Sequence, residues 1–154
     1  MSDKPHILIV EARFYDDLAD ELVRGAVAEL EKDGATFEKV SVPGCLEIPT
    51  AMLYALRSMD SFTARKRFDG FVGLGCVIRG ETTHYDIVCN ESARGMQDLA
   101  LRYGLAIGNG VLTVENREQA WARASITAKN KGGFAARACL DMIELKRQFR
   151  LYPR

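Results

Sequence analysis

The sequence predicts an α/β fold, a three-layer α-β-α sandwich around a four-stranded parallel sheet. Three observations carry this reading. Strand-like and helix-like patterns alternate four times along the 154 residues, as in β-α-β units joined by right-handed crossovers. The central strand candidate, Phe71 to Ile78, is a short and nearly unbroken apolar run, as expected of a strand covered on both faces. Residues that break these patterns, namely Phe14, Glu47 and the run from Arg79 to His84, all follow strand candidates. In a parallel α/β sheet those positions share the carboxyl edge, where ligands bind.

Taken in order, His6 to Val10 reads as a buried strand, and Glu11 to Asp16 as a loop. A helix then runs to about Asp33, with Leu18, Leu22, Ala26 and Leu30 as its inward stripe and Gly34 as its stop. Phe37 to Val42 is a second strand, closed by Pro43-Gly44. A second helix starts at Pro49, where a proline costs no hydrogen bond, and continues through Met52 and Leu56. Ser58 to Arg67 is a polar surface connection to the central strand. Beyond that strand and the loop Arg79 to His84, Val88, Ser92, Met96, Leu99 and Tyr103 step along one helical face. Gly104 caps that helix, and Leu105 to Val114 is a fourth strand, where Gly108 and Gly110 mark a bulge or a close backbone approach. Asn116 with Gln119 matches a capping box before a short helix to about Ala124. Ser125 to Gly133 is a loop, and a last helix runs from Phe134 to near Phe149. The expected result is a single domain, 1–154, of flavodoxin-like layout.

Composition narrows the function classes. Lys and Arg number 21, Asp and Glu 21, and they are interspersed, so no electrostatic nucleic-acid or membrane binder is expected. The apolar stretch near the start, Ile7 to Val10, is too short for a signal peptide, and no segment is long enough for a bilayer. Cys45, Cys76, Cys89 and Cys139 form no C-x-x-C pair, which fits reduced, mostly buried thiols in a cytoplasmic protein. There is no G-x-x-x-x-G-K-[ST], and Gly73-x-Gly75 lies inside a strand. Two distant histidines and scattered cysteines do not make a zinc site. His84 and Cys89 lie five apart on one helix, which separates their faces and argues against a thiol–imidazole pair.

The loop Arg79-Gly80-Glu81-Thr82-Thr83-His84 joins a strand to a helix start. First-turn amides there lack helical partners and can hold an anion. Equally, Thr83 with Asp86 matches a capping box, in which case the threonine serves its own helix. His84 is one of only two histidines. An imidazole titrates near neutral pH and suits proton shuttling, though a loop histidine can simply be solvated. Glu47 either accepts hydrogen bonds from a polyhydroxyl ligand or favours the positive start of its helix. Phe14 is a stacking platform for a flat ring or an ordinary core aromatic. Arg123 and Lys131 are a phosphate clamp or solvated charges near helix ends.

These residues sit in longer motifs: Gly44-Cys-Leu-Glu-Ile-Pro49, Gly75-Cys-Val-Ile-Arg-Gly-Glu-Thr-Thr-His-Tyr-Asp86, Leu112-Thr-Val-Glu-Asn116 and Asn130-Lys-Gly132. Together they resemble the 6,7-dimethyl-8-ribityllumazine synthase family of riboflavin biosynthesis over nearly the whole chain. The resemblance implies condensation of 5-amino-6-(D-ribitylamino)uracil with 3,4-dihydroxy-2-butanone 4-phosphate, without cofactor or metal. It implies that Phe14 stacks on the uracil ring and that Glu47, with nearby amides, holds the ribityl chain. Cys45, Leu46, Cys76, Val77, Ile78 and Asn109 would complete the substrate pocket. Gly80, Glu81, Thr82 and Thr83, with Arg123 and Lys131, would receive the phosphate, and His84 would move protons.

Two positions depart from the family, whose members often carry aromatics where this chain has Leu46 and Asn109; both changes remove stacking surface. Glu81 beside a phosphate is repulsive and is expected to point to solvent. A rival of another class is a catalytically weak paralogue that binds or stores a lumazine or flavin, against which His84, Arg123 and Lys131 together argue. The family also assembles pentamers, in some members into capsids. Ser125-Ile-Thr-Ala-Lys129 replaces the Gly-Thr-Lys-Ala-Gly turn of shell-forming members, which favours a free homopentamer with sites at subunit interfaces.

Overall fold

The computed structural model describes residues 4–61 and 68–152. Its elements in order are β1 (His6–Ala12), α1 (Asp16–Lys32), β2 (Thr36–Val42), a 3-10 turn (Cys45–Glu47), α2 (Ile48–Ser61), β3 (Gly70–Ile78), α3 (His84–Tyr103), β4 (Ile107–Val114), α4 (Arg117–Ala124) and α5 (Lys131–Gln148). The strands form one four-stranded sheet of order β2-β1-β3-β4, parallel throughout. This is the expected α-β-α sandwich. From β1 the chain steps outward to β2, then returns across β1 to β3. The order therefore reverses between β1 and β3, and such a reversal opens a crevice at the carboxyl edge.

Alternation along β1 divides the core. Ile7 and Ile9 join Leu18, Leu22 and Leu30 of α1 and Cys139 and Ile143 of α5 on one face. Leu8 and Val10 join Ile48 and Met52 of α2 and Val88 and Met96 of α3 on the other. The predicted stripe of α1 is wholly buried, and each leucine so removed from water contributes about 1.5–3 kcal/mol. β1 is buried along its length, whereas β2 is an edge strand with Thr36, Glu38, Lys39, Val40 and Ser41 exposed. Among the described residues no helix is long and apolar enough to cross a membrane.

Several local expectations need correction. α2 begins one residue before Pro49, after a 3-10 turn that the periodicity does not reveal. It continues through Ser58 to Ser61, so the first part of the expected surface connection is helical, while residues 62–67 lie outside the described region. Tyr103 ends α3 but is 39% exposed, since the buried face stops at Leu99. Gly104 caps that helix in the left-handed conformation, as expected (φ 64°). The register of β4 on β3 runs without a break from Ile107 to Val114, so its glycines mark close approach and not a bulge. A methyl at Gly108 would overlap the Ala135 carbonyl oxygen of α5. α5 itself starts at Lys131, three residues before the expected Phe134, because Asn130 Oδ1 accepts the Gly133 amide at 3.2 Å and caps it. Gly132 and Gly133 therefore belong to the helix, where Gly132 lies against the Leu22 carbonyl of α1.

Gly108→Ala should lower stability by about 1–3 kcal/mol through this overlap, measured as a shift in the urea unfolding midpoint. Gly80→Ala should change it far less, because nothing lies within 4 Å of the Cβ position there.

Candidate active site

The three loops singled out in the sequence converge at the crevice between β1 and β3. A cavity of about 430 Å³ is lined by Phe14 from the β1–α1 loop, Cys45, Leu46 and Glu47 from the turn after β2, and Cys76, Val77, Ile78 and His84 from β3 and the start of α3. Phe14 is 72% exposed, so it is not a core aromatic. Tyr15, Pro43 and Val88 also line this cavity, although sequence reasoning did not select them. The Tyr15 ring meets that of Phe14 edge-on, with centroids 4.9 Å apart. Val88 was legible only as part of the inward stripe of α3. Cys45 and Cys76 are buried cavity walls. Burial pushes their thiols up to about 12 and about 11, respectively, so at neutral pH they are uncharged and poor nucleophiles.

A buried carboxylate underpins the loop that carries Phe14. Glu11, at the end of β1, is 1% exposed. It accepts hydrogen bonds from Ser41 Oγ at 2.7 Å and Arg13 Nη1 at 2.9 Å, and Lys39 Nζ lies 3.2 Å away. Burial alone would raise its carboxyl, but the Ser41 hydroxyl, Arg13 and Lys39 outweigh this and hold the group below its ordinary value. Arg13 also binds Asp16 at 3.1 Å and Asp20 at 2.8 Å on α1, while its amide donates to Val42 O at 3.2 Å. The residue before Phe14 is thus fixed from β1, β2 and α1 together.

The loop from Gly80 to Thr83 is exposed and leads into His84, Glu81 included. Thr83 precedes α3, but its side chain makes no capping bond, which corrects the capping-box reading. Its carbonyl accepts the Asp86 amide at 3.0 Å, while Thr82 Oγ1 accepts the His84 amide at 3.3 Å. Arg79 turns away from this loop, pairing with Glu115 at 2.9 Å and lying 4.3 Å above the Tyr85 ring.

Asn109, Arg123 and Lys131 are not in this cavity. They line a second one of about 420 Å³ on the outer side of β4, with Phe134. Two of its walls are cations, and no lining residue is acidic, so its chemistry suits an anion. Arg123 Nη1 donates to Gln119 O at 3.1 Å, and Lys131 Nζ lies 5.0 Å from the centre of the Phe134 ring. Phe134 was overlooked because the start of the last helix was placed at it. The short helix carrying Arg123 is capped as expected, with Asn116 Oδ1 accepting the Gln119 amide at 2.9 Å. A larger cavity of about 820 Å³ lies around Lys4, Asp33 and Arg137. Its charged walls pair with one another, as Arg137 does with Asp33 at 3.0 Å, and it gathers none of the candidate residues.

Taken together, these features define an α/β protein with a cavity at the switch point of its sheet, where such folds bind small molecules, and a separate cationic cavity. The chain belongs to the 6,7-dimethyl-8-ribityllumazine synthase family, whose model matches residues 4–147. It is 61% identical over 145 residues to the 6,7-dimethyl-8-ribityllumazine synthase of Agrobacterium fabrum, covering 94% of this chain and 97% of that one. It is 62% identical over 143 residues to 6,7-dimethyl-8-ribityllumazine synthase 1 of Rhizobium meliloti, covering 93% and 92%. The protein of that family from Bartonella tribocorum is 55% identical over 149 residues, covering 97% and 95%.

Glu11→Gln should cost about 1.5–3 kcal/mol of stability at pH 7, the worth of hydrogen bonds to a charged group. Because the folded carboxyl titrates below its ordinary 4.5, its contribution is present above that pH and is lost as pH falls through the folded value. Urea titrations of both proteins should therefore converge at low pH. A gap that persists unchanged at pH 3 would show that the charge is not the cause.

Proposed function

We infer that the chain condenses 5-amino-6-(D-ribitylamino)uracil with 3,4-dihydroxy-2-butanone 4-phosphate to 6,7-dimethyl-8-ribityllumazine, the penultimate step of riboflavin biosynthesis. The observation that carries this reading is family membership over residues 4–147, in a chain whose switch-point cavity holds Phe14, Glu47 and His84 together. In the reaction, a substrate amine attacks the ketone to give an imine and water. Phosphate is then eliminated, and attack of the second nitrogen closes the ring with loss of another water. Protons must be delivered and removed at several of these steps.

In our assignment, Phe14 offers its exposed face to the uracil ring, and Glu47 accepts hydrogen bonds from ribityl hydroxyls. Cys45, Leu46, Cys76, Val77 and Ile78 supply uncharged walls, which strengthen the polar contacts inside by excluding water. His84 is the general acid–base, placed where the anion loop meets the cavity. Gly80, Glu81, Thr82 and Thr83 form the phosphate loop, with backbone groups as donors and the Glu81 carboxylate directed to solvent. Arg123 and Lys131 neutralise the phosphate as it binds and leaves.

The last assignment needs a second subunit. Within one chain, the cavity that holds His84 and the one that holds Arg123 and Lys131 share no lining residue. We propose a head-to-tail ring, a homopentamer, in which each subunit lends its Arg123, Lys131 and Asn109 to its neighbour's His84 cavity. Exposed Phe14 at 72%, Phe134 at 65% and Trp121 at 47% support such contacts. The four cysteines are free thiols, consistent with our assignment to the reducing cytoplasm.

Lumazine formation from the two purified substrates, followed by absorbance, tests the reading directly. His84→Ala should lower turnover by roughly 10²–10⁴-fold with little change in substrate-analogue affinity; full activity would remove His84 from the mechanism. Arg123→Ala should weaken the phosphate-bearing substrate selectively, by about 1.5–3 kcal/mol. Refolded together in equal amounts, these two variants should recover activity towards roughly a quarter of sites, those that combine both native residues. Hybrids that form yet stay inactive would place both residues in one chain's site.

A further inference from the structure

Arg123 lies in the last turn of α4 and Lys131 begins α5, so their separation is set by the loop 125–130 between the two helices. That loop is built largely from its own hydrogen bonds. Asn130 N donates to Ser125 O at 2.9 Å, Ala128 N to Ser125 O at 3.0 Å, and Lys129 N to Ala122 O at 3.1 Å. Asn130 adopts a left-handed conformation, φ 46°, uncommon for a residue with a side chain. The first two bonds lie within the loop, and the third ties it to α4. Among the described residues, one hydrogen bond ties it to an element distant in sequence. Glu21, on α1, is 9% exposed, and its Oε2 accepts the Ile126 amide at 3.0 Å. Arg24 closes on the same carboxylate with bonds of 3.0 and 3.1 Å, which holds it in orientation. Next to this contact, Gly25 leaves room for the Asn130 side chain and Gly132 for the Leu22 carbonyl. Those close contacts seat the loop on α1, and a directional bond to the Glu21 carboxylate adds a polar restraint at the Ile126 amide.

We propose that Glu21 is a positioning residue for the anion half-site: by holding the Ile126 amide, it fixes the loop that sets Arg123 against Lys131. The proposal rests on the phosphate role assigned above to those two cations. Glu21 touches no substrate in this arrangement and acts only through the loop. Its loss therefore affects phosphate recognition and leaves the ring cavity, built on other loops, as it was.

Glu21→Met keeps the helix and the approximate volume but removes the acceptor, while Glu21→Gln keeps an acceptor. Each should be assembled like the unaltered protein by size and thermal unfolding. Inorganic phosphate is then titrated calorimetrically, and KM is measured for each substrate. Glu21→Met should weaken phosphate and raise KM for the butanone phosphate by roughly 10-fold, as expected of a small misplacement of charged donors. KM for the ribitylaminouracil should stay within about 2-fold, and Glu21→Gln should restore most of the phosphate affinity, as an intact hydrogen bond requires. A folded Met variant with native phosphate affinity, or one that loses both substrates alike, overturns the proposal while lumazine formation by the unaltered protein leaves the functional reading intact. Failure of the unaltered protein to form lumazine overturns that reading and the proposal with it. If Glu21→Met does not fold, hydrogen exchange on the unaltered protein decides: a protected Ile126 amide supports the contact, and exchange at the rate of an open loop overturns it.

Discussion

Helix α5 lies so close to its neighbours that two of their contacts leave no room for a side chain. The Ala135 carbonyl fills the space beside Gly108 of β4, and the Leu22 carbonyl of α1 fills that beside Gly132. Much of the arrangement follows from this close approach. It brings α5 onto β4 without a bulge and seals the core around Cys139 and Ile143. It also places Lys131 and Phe134 at the outer side of β4 beside Asn109. Interiors this dense transmit displacement, because no void can absorb it. A shift of α5 would move its first turn, and with it a wall of the cationic cavity.

The helices were legible from their period and the inner strands from unbroken apolar runs, patterns that burial explains. The stripe Leu18, Leu22, Ala26 and Leu30 and the unbroken apolar run Ile7 to Val10 both point to an apolar interior. Features that depend on a single polar contact were harder to read. The cap at Asn130 was missed because two glycines follow it, and in a helix these are intelligible only once the Leu22 carbonyl is seen beside Gly132. Thr83 shows the opposite error, a motif with a capping-box pattern but no capping bond, since nothing in the spacing reports its rotamer. The 3-10 turn at Cys45–Glu47 leaves no periodic trace in three residues.

The candidate site divides along the same line. Phe14, Glu47 and His84 could be grouped from sequence because chain direction in a parallel sheet puts every β-to-α loop at one edge, and they line one cavity. Arg123 and Lys131 could be read from sequence as a phosphate clamp or as solvated charges near helix ends, and only the family resemblance favoured the first. Tyr15 and Phe134, both lining residues, carried no signal apart from neighbouring sequence. Glu11 is instructive in another way. A charged residue at the end of an apolar strand is out of place until Arg13, Lys39 and Ser41 are seen around it.

The exposed edge strand β2 adds a colloidal dimension to that network. Open edges invite pairing with another chain, and charged side chains are a common defence. Here the two charges on β2 are both tied inward, Glu38 to the buried His6 at 2.9 Å and Lys39 to the buried Glu11 at 3.2 Å. The residues that discourage edge-to-edge aggregation are therefore the same ones that partner buried polar groups of β1. Solubility and interior electrostatics are coupled in this chain, and a surface redesign that exchanged Lys39 for a neutral residue would strip a counter-ion from the interior while it opened the edge.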